Sequence, residues 1–189
     1  MRTAVLSTIL AATLVASLPA ASQPQATQTQ QKPVRTPDIL WVPTPDPVVD
    51  GMLQLAGVGK NDVVYDLGCG DGKIVIAAAK LGARGVGIDI DPARVEDANA
   101  NIKKAGVQDK VQIRLGDIFD PKVTFTDATV VTLYLLTSLN EKLKPRLLKE
   151  LKPGTRVVSH QFTMGTDWKP DKTANINGVP IYLWTIPNR

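Results

Sequence analysis

The sequence predicts one α/β domain whose mostly parallel sheet carries helices on both faces. Three observations predict it. Short apolar segments alternate with segments of helical period. A glycine-rich turn, Gly68-Cys69-Gly70-Asp71-Gly72, directly follows the first apolar segment. Acidic residues end or follow the next two segments, at Asp89 and Asp117, where ligands of such sheets bind.

The elements follow in order. Trp41-Val42-Pro43-Thr44-Pro45 is expected to be extended, because each proline disfavours the helical region for its predecessor. A helix is expected from about Pro45, with Thr44 as N-cap and Pro45 in the first helical position. Val48, Val49, Met52, Leu53 and Leu55 form its apolar side, and Gly57 ends it. Val63 to Leu67 reads as a strand, Lys73 to Leu81 as a helix stopped by Gly82, and Gly85 to Asp89 as a second strand. Asp91 caps the next helix and Pro92 opens it. Val95, Ala98, Ile102 and Ala105 share its apolar face, and Gly106 closes it. Val111 to Leu115 is a third strand. Ala128 to Leu133 is a fourth, apolar enough to be buried on both faces. Leu143, Leu147, Leu148 and Leu151 make a helical stripe, with Pro145 as a start or kink inside it. Pro153-Gly154 turns the chain into a fifth strand, Thr155 to Ser159. The tail from 172 to 187 shows no helical period. Asn177-Gly178 is a hairpin-turn dipeptide before a strand from Val179 to Ile186, so a terminal antiparallel hairpin is expected.

A chain of 189 residues with 43% hydrophobic and 21% charged residues suffices for one full core. The net charge is +4, but Lys and Arg are spread along the chain, which argues against a nucleic-acid face. One cysteine, Cys69, excludes an internal disulfide, and together with one histidine, His160, it cannot build a structural zinc site. No metal is expected, and the domain is expected to be a monomer. Residues 1–22 read as a signal peptide. Arg2 precedes an apolar run from Ala4 to Leu18, and Ala20 and Ser22 have the peptidase spacing for cleavage before Gln23. The run is short for a membrane span. An uncleaved anchor is the alternative and would be the only route to a membrane. Both readings place the domain outside the cytoplasm of a bacterium, periplasmic or secreted. Residues 23–40, rich in Gln, Thr and Pro, are expected to be a disordered linker, leaving 41–189 as the domain.

The strand ends suggest chemistry. Glycines at alternate positions let a backbone turn tightly and approach a ligand, and the helix behind them offers unpaired N–H groups to a carboxylate. Asp89 suits both hydroxyls of a ribose. Asp117 suits an adenine amino group, with Ile118 packing on the ring. A dinucleotide-binding oxidoreductase would need Gly-x-Gly-x-x-Gly, and that fingerprint fails at Lys73 in one frame and at Val75 in the other.

Asp66-Leu67-Gly68-Cys69-Gly70-Asp71-Gly72 with Asp89 and Asp117 resembles the nucleotide half of class I S-adenosylmethionine-dependent methyltransferases. The resemblance implies a Rossmann-like, seven-stranded sheet with the last strand antiparallel. It implies that Gly68, Gly70 and Gly72 surround the methionine part, that Asp89 holds the ribose and that Asp117 holds the adenine; Ile90 and Ile118 are further cofactor-binding candidates. Asp66 is expected to order the glycine loop. Val42-Pro43-Thr44, Asp71 to Ala79, Val131 to Leu136 and Arg156 to His160 are similar to the ATP synthase c-subunit lysine methyltransferase family. That similarity implies a protein lysine as methyl acceptor. A non-catalytic exported module binding an adenine nucleoside is the alternative, because S-adenosylmethionine is made in the cytoplasm. The acceptor channel is expected to be lined by Trp41, Pro43, Thr44, Thr132, Tyr134 and His160. Tyr134, His160 and Thr44 are its catalytic candidates, Tyr134 to orient an amine and His160 to take a proton. The competing reading makes Tyr134 and His160 ordinary packing residues. Trp184 and Tyr182 are expected to pack the hairpin, Cys69 to pack within the loop, and Asp71 to bond the loop backbone.

Overall fold

The structure, a computed structural model, describes residues 35–188. The expected signal peptide, and the linker as far as residue 34, lie outside the described residues. Eleven elements follow in chain order: α1 (Asp46–Leu55), β1 (Val63–Leu67), α2 (Lys73–Lys80), β2 (Arg84–Asp89), α3 (Pro92–Ala105), β3 (Val111–Leu115), β4 (Val130–Leu133), α4 (Thr137–Glu150), β5 (Arg156–His160), β6 (Lys172–Ile176) and β7 (Val179–Thr185). They build a seven-stranded sheet of order β3-β2-β1-β4-β5-β7-β6. The five strands from β3 to β5 run parallel, and the β6–β7 hairpin joins β5 antiparallel. The mostly parallel α/β sheet with a terminal hairpin is as expected.

Alternation along each strand sends neighbouring side chains to opposite faces. Val64, Val130 and Val158 pack under α1 and α2 with Val48, Met52, Ile74 and Ala78. Tyr65, Val131 and Val157 pack on the other face against Leu143 and Leu147 of α4 and Leu151 just after it. Trp184 is fully buried there, and its indole N–H donates to the Trp168 carbonyl (2.9 Å), so the hairpin aromatics do pack. Asp91 caps α3 by accepting from the Ala93 N–H (2.9 Å), and Gly106 closes it at φ +68°. Pro145 lies inside α4 rather than at its start.

Entry into α1 differs from the expectation. Pro45 holds the cap position at φ −61°, ψ 143°, and makes no side-chain cap; Pro47 is the proline of the first turn. Pro45 imposes the extended residue before the helix, so Thr44 falls one place too early to cap. Its hydroxyl turns instead to His160.

Candidate active site

The order β2-β1-β4-β5 places the reversal of strand order between β1 and β4, where a cleft opens beyond the carboxyl ends. The cleft holds about 780 Å³, a size fit for a small-molecule site. Asp66, Gly68, Cys69, Asp71 and Asp89 line it, and so do Tyr134, Leu136 and Phe162. The topology therefore puts the glycine loop and Asp89 on one side of β1 and the aromatic residues following β4 and β5 on the other.

The loop is held to β2. The N–H groups of Gly68 and Cys69 both donate to the Ile88 carbonyl, at 2.8 and 3.0 Å. Gly68, Gly70 and Gly72 have φ of +88°, +52° and +76°, a region that residues with a Cβ rarely adopt. Their surroundings differ. A Cβ on Gly70 would stand 1.9 Å from the Trp41 indole nitrogen, so the bare backbone there accepts an aromatic ring. A Cβ on Gly72 would meet Ala98 of α3 at 3.1 Å, so that glycine serves helix packing. Asp71 accepts from the Lys73 N–H (3.2 Å), the local role expected of it. Cys69 is buried, and burial pushes its thiol well up, which leaves it an inert packing group.

Asp89 closes the loop. One carboxylate oxygen accepts from the Gly70 N–H (2.7 Å) and the other from the Asp91 N–H (3.0 Å). The two donors fix its plane and leave lone pairs for a ligand. Burial raises its carboxyl above the ordinary range despite both donors. Asp66 is more deeply buried and accepts from the Thr132 hydroxyl at 2.7 Å. Burial pushes its carboxyl up to about 7, against the Thr132 bond, and Asp89 and Asp71 push the same way. Thr132, expected in the channel, is fully buried on β4 and serves Asp66 instead.

Asp117, Ile118 and Ile90 wall a separate small cleft of about 70 Å³ together with Arg35. The Arg35 guanidinium engages both Asp117 oxygens, at 2.6 and 3.3 Å, and also Asp38 at 2.6 Å. Burial alone would raise the Asp117 carboxyl; the Arg35 pair outweighs it and holds the carboxyl below its ordinary value. Residues 36–44 continue along the main cleft, so the described end of the expected linker is part of the wall. Arg94 stands 4.6 Å over the Trp41 ring, a cation–π contact that seats it.

On the other side, His160 stacks on Tyr134 with ring centres 3.6 Å apart, and Phe162 lies 6.1 Å beyond. Thr44 Oγ1 lies 3.2 Å from His160 Nδ1. Contrary to expectation, His160 does not line the cleft. Tyr134 and Thr44 cover it at the end of β5, it is 2% exposed, and burial lowers its pKa to about 4. Sequence reasoning thus brought Asp66, Asp89, Tyr134 and Thr44 to one place, but missed Phe162, Arg94 and Arg35. Phe162 had a signal, an aromatic two residues beyond His160; Arg35 had none.

Residues 66–172 match the family model described as ANTKMT methyltransferase domain. A protein-lysine N-methyltransferase of Saccharolobus islandicus is 48% identical, over 79% of this chain and 95% of that one. The ATP synthase c-subunit lysine N-methyltransferase of Mus musculus is 32% identical over 70% of this chain; the match spans 52% of that longer protein. Among solved structures, an RNA methyltransferase from Salinibacter ruber in complex with S-adenosyl-L-homocysteine is 58% identical. Its TM-score is 0.76, and the match covers 78% of this chain and 95% of that one. The chain belongs to the ANTKMT methyltransferase domain family and is an S-adenosylmethionine-dependent methyltransferase.

Proposed function

We propose that the protein transfers a methyl group to the side-chain amine of a protein lysine. One observation carries the reading: a single cleft joins the glycine loop and Asp89 to an apolar wall of Tyr134, Leu136 and Phe162. The 48% identical relative named as a protein-lysine N-methyltransferase supports it.

The cradle fits the donor. The open backbone at Gly68 suits its amino-acid part, the fixed Asp89 carboxylate its ribose hydroxyls, and Asp117 with Ile118 its adenine. S-adenosylmethionine supplies a methyl group already activated on sulfonium, so the protein's work is alignment. A lysine entering along the Tyr134–Phe162 wall leaves water, which lowers its pKa and favours the neutral nucleophile. The ring faces attract the ammonium product. His160 is neutral at pH 7 and sits behind Tyr134, so its part is to hold that ring, with Thr44 fixing the imidazole. The apolar run behind Arg2 supports an exported or N-terminally anchored setting.

Incubation with labelled donor and either polylysine or total RNA tests the acceptor. Label in polylysine, recovered as methyllysine, is expected. Label in RNA alone would overturn the reading, and the Salinibacter ruber relative, named as an RNA methyltransferase, makes RNA the acceptor to compare. Tyr134→Ala is expected to lower kcat/KM for polylysine about tenfold or more through lost alignment.

Arg35 and an adenine amino group compete for one carboxylate, and a 70 Å³ cleft is far below the roughly 300 Å³ at which ligand pockets begin. Binding therefore moves Arg35. The Arg35–Asp117 pair is only partly exposed, and a pair of this kind is worth on the order of 1 kcal/mol. Arg35→Ala should thus bind S-adenosylhomocysteine up to about fivefold more tightly by calorimetry. Weaker binding would show that Arg35 assists the nucleoside.

A further inference from the structure

Strand pairing ends at Gln161, whose N–H donates to the Pro180 carbonyl of β7 (2.8 Å), and beyond it α4 holds the segment. Gln161 has φ +66°, a strained value for a residue with a side chain. Two α4 residues one turn apart, hence on one face, hold the backbone of residues 162–164. Asn140 Nδ2 donates to the carbonyls of Thr163 (3.2 Å) and Phe162 (3.4 Å), and Lys144 Nζ donates to the Met164 carbonyl (3.2 Å). Between them, Glu141 covers Gly165, where a Cβ would lie 2.3 Å from its carboxylate. Asn140 is fully buried, and its Oδ1 is the one buried side-chain N or O atom among the described residues without a partner. Leaving such an acceptor unpaired costs about 1–3 kcal/mol, which offsets much of what the Nδ2 bonds to Phe162, Thr163 and the Ser159 hydroxyl (3.4 Å) contribute. Its Nδ2 holds the backbone that carries Phe162 into the cleft beside Tyr134.

We propose that Asn140 and Lys144 are positioning residues for the methyl acceptor: they clamp the Phe162–Met164 backbone and so set the width of the Tyr134–Phe162 wall. The proposal rests on the reading of that wall as the acceptor side. The donor side, built from β1 and β2, is independent of the clamp.

The test uses Asn140→Ala, Lys144→Met, Phe162→Ala and the double variant Asn140→Ala/Phe162→Ala, with polylysine as acceptor. Asn140→Ala and Lys144→Met should each raise the polylysine KM about tenfold. The Kd for S-adenosylhomocysteine should stay within about twofold, and amide exchange should quicken at 161–166 alone. Because Asn140 acts through Phe162, the double variant should be no worse in KM than Phe162→Ala. Parallel losses in donor affinity and KM, or additive losses in the double variant, overturn the proposal. Should Asn140→Ala not fold, Lys144→Met and its exchange pattern decide. If the wild type labels RNA and not polylysine, the amine reading fails, and the same four proteins assayed on RNA still decide the clamp.

Discussion

Asp89→Ala should fold and fail to bind S-adenosylmethionine or its demethylated product. The Asp89 carboxylate has two duties. It accepts from the Gly70 and Asp91 N–H groups, which sets the glycine loop, and in the donor pose proposed above its remaining lone pairs take the ribose. Hydrogen bonds to a charged group contribute about 1.5–3 kcal/mol each, so losing two predicts at least a 100-fold loss of affinity. A ligand at 100 times its Kd stabilises the wild type by about 2.7 kcal/mol, a rise in Tm of roughly 5–10 °C for a chain of this size. The variant should rise by no more than about 1–2 °C at the same concentration. Its own Tm should fall modestly: the Asp91 N–H borders the cleft, the buried Gly70 N–H loses its partner at a cost of about 1–3 kcal/mol, and removal of a buried carboxyl with a raised pKa offsets part of that. A full ligand-induced shift in Asp89→Ala would remove the ribose role and the site built around it. Asp89→Asn keeps one acceptor oxygen and should fall between the two.

The fold was legible wherever local signals agreed. The boundaries of β1 and β3 match the expectation because apolar runs, flanking turns and β propensity all point to the same residues. The Asp91-Pro92 start and the Gly106 stop of α3 are local capping chemistry and were read directly. The site was legible only where its residues lie on or next to those elements, as Asp66, Asp89 and Tyr134 do. Whatever escaped depends on contacts between distant parts of the chain. Thr44 meets His160 across 116 residues, and Arg35 meets Asp117 across 82. The Thr132 hydroxyl could have faced the cleft or β1. Only the register that sets Thr132 opposite Asp66 decides it. His160 illustrates the same limit. Its place at the end of β5 was predictable, but the ring that covers it comes from the neighbouring strand's exit.

The stability of the ligand-free protein should carry two opposed pH dependences from the site. Asp66 titrates at about 7 when folded, against an ordinary 3.8, so the folded chain holds its proton more tightly than the unfolded chain does. Its contribution is full below pH 4 and is lost as pH rises to 7, at about 1.4 kcal/mol per pH unit. His160 runs the other way. Its folded pKa of about 4 lies below the ordinary 6.5, so acid charges the unfolded chain first, and stability falls as pH drops from 6.5 to 4. Between pH 4 and 6.5 the two slopes offset each other in the wild type. Asp66→Asn removes the first, so its stability relative to wild type should climb as pH rises from 4 to 7. His160→Gln removes the second, so its relative stability should fall as pH rises from 4 to 6.5. Urea unfolding of the three proteins at pH 4.5, 5.5, 6.5 and 7.5 measures both differences. Curves that stay parallel would mean that water reaches Asp66 and His160 and returns both groups to their ordinary ranges. The cleft floor would then be wet, and the low-dielectric setting invoked for a neutral lysine would be lost with it.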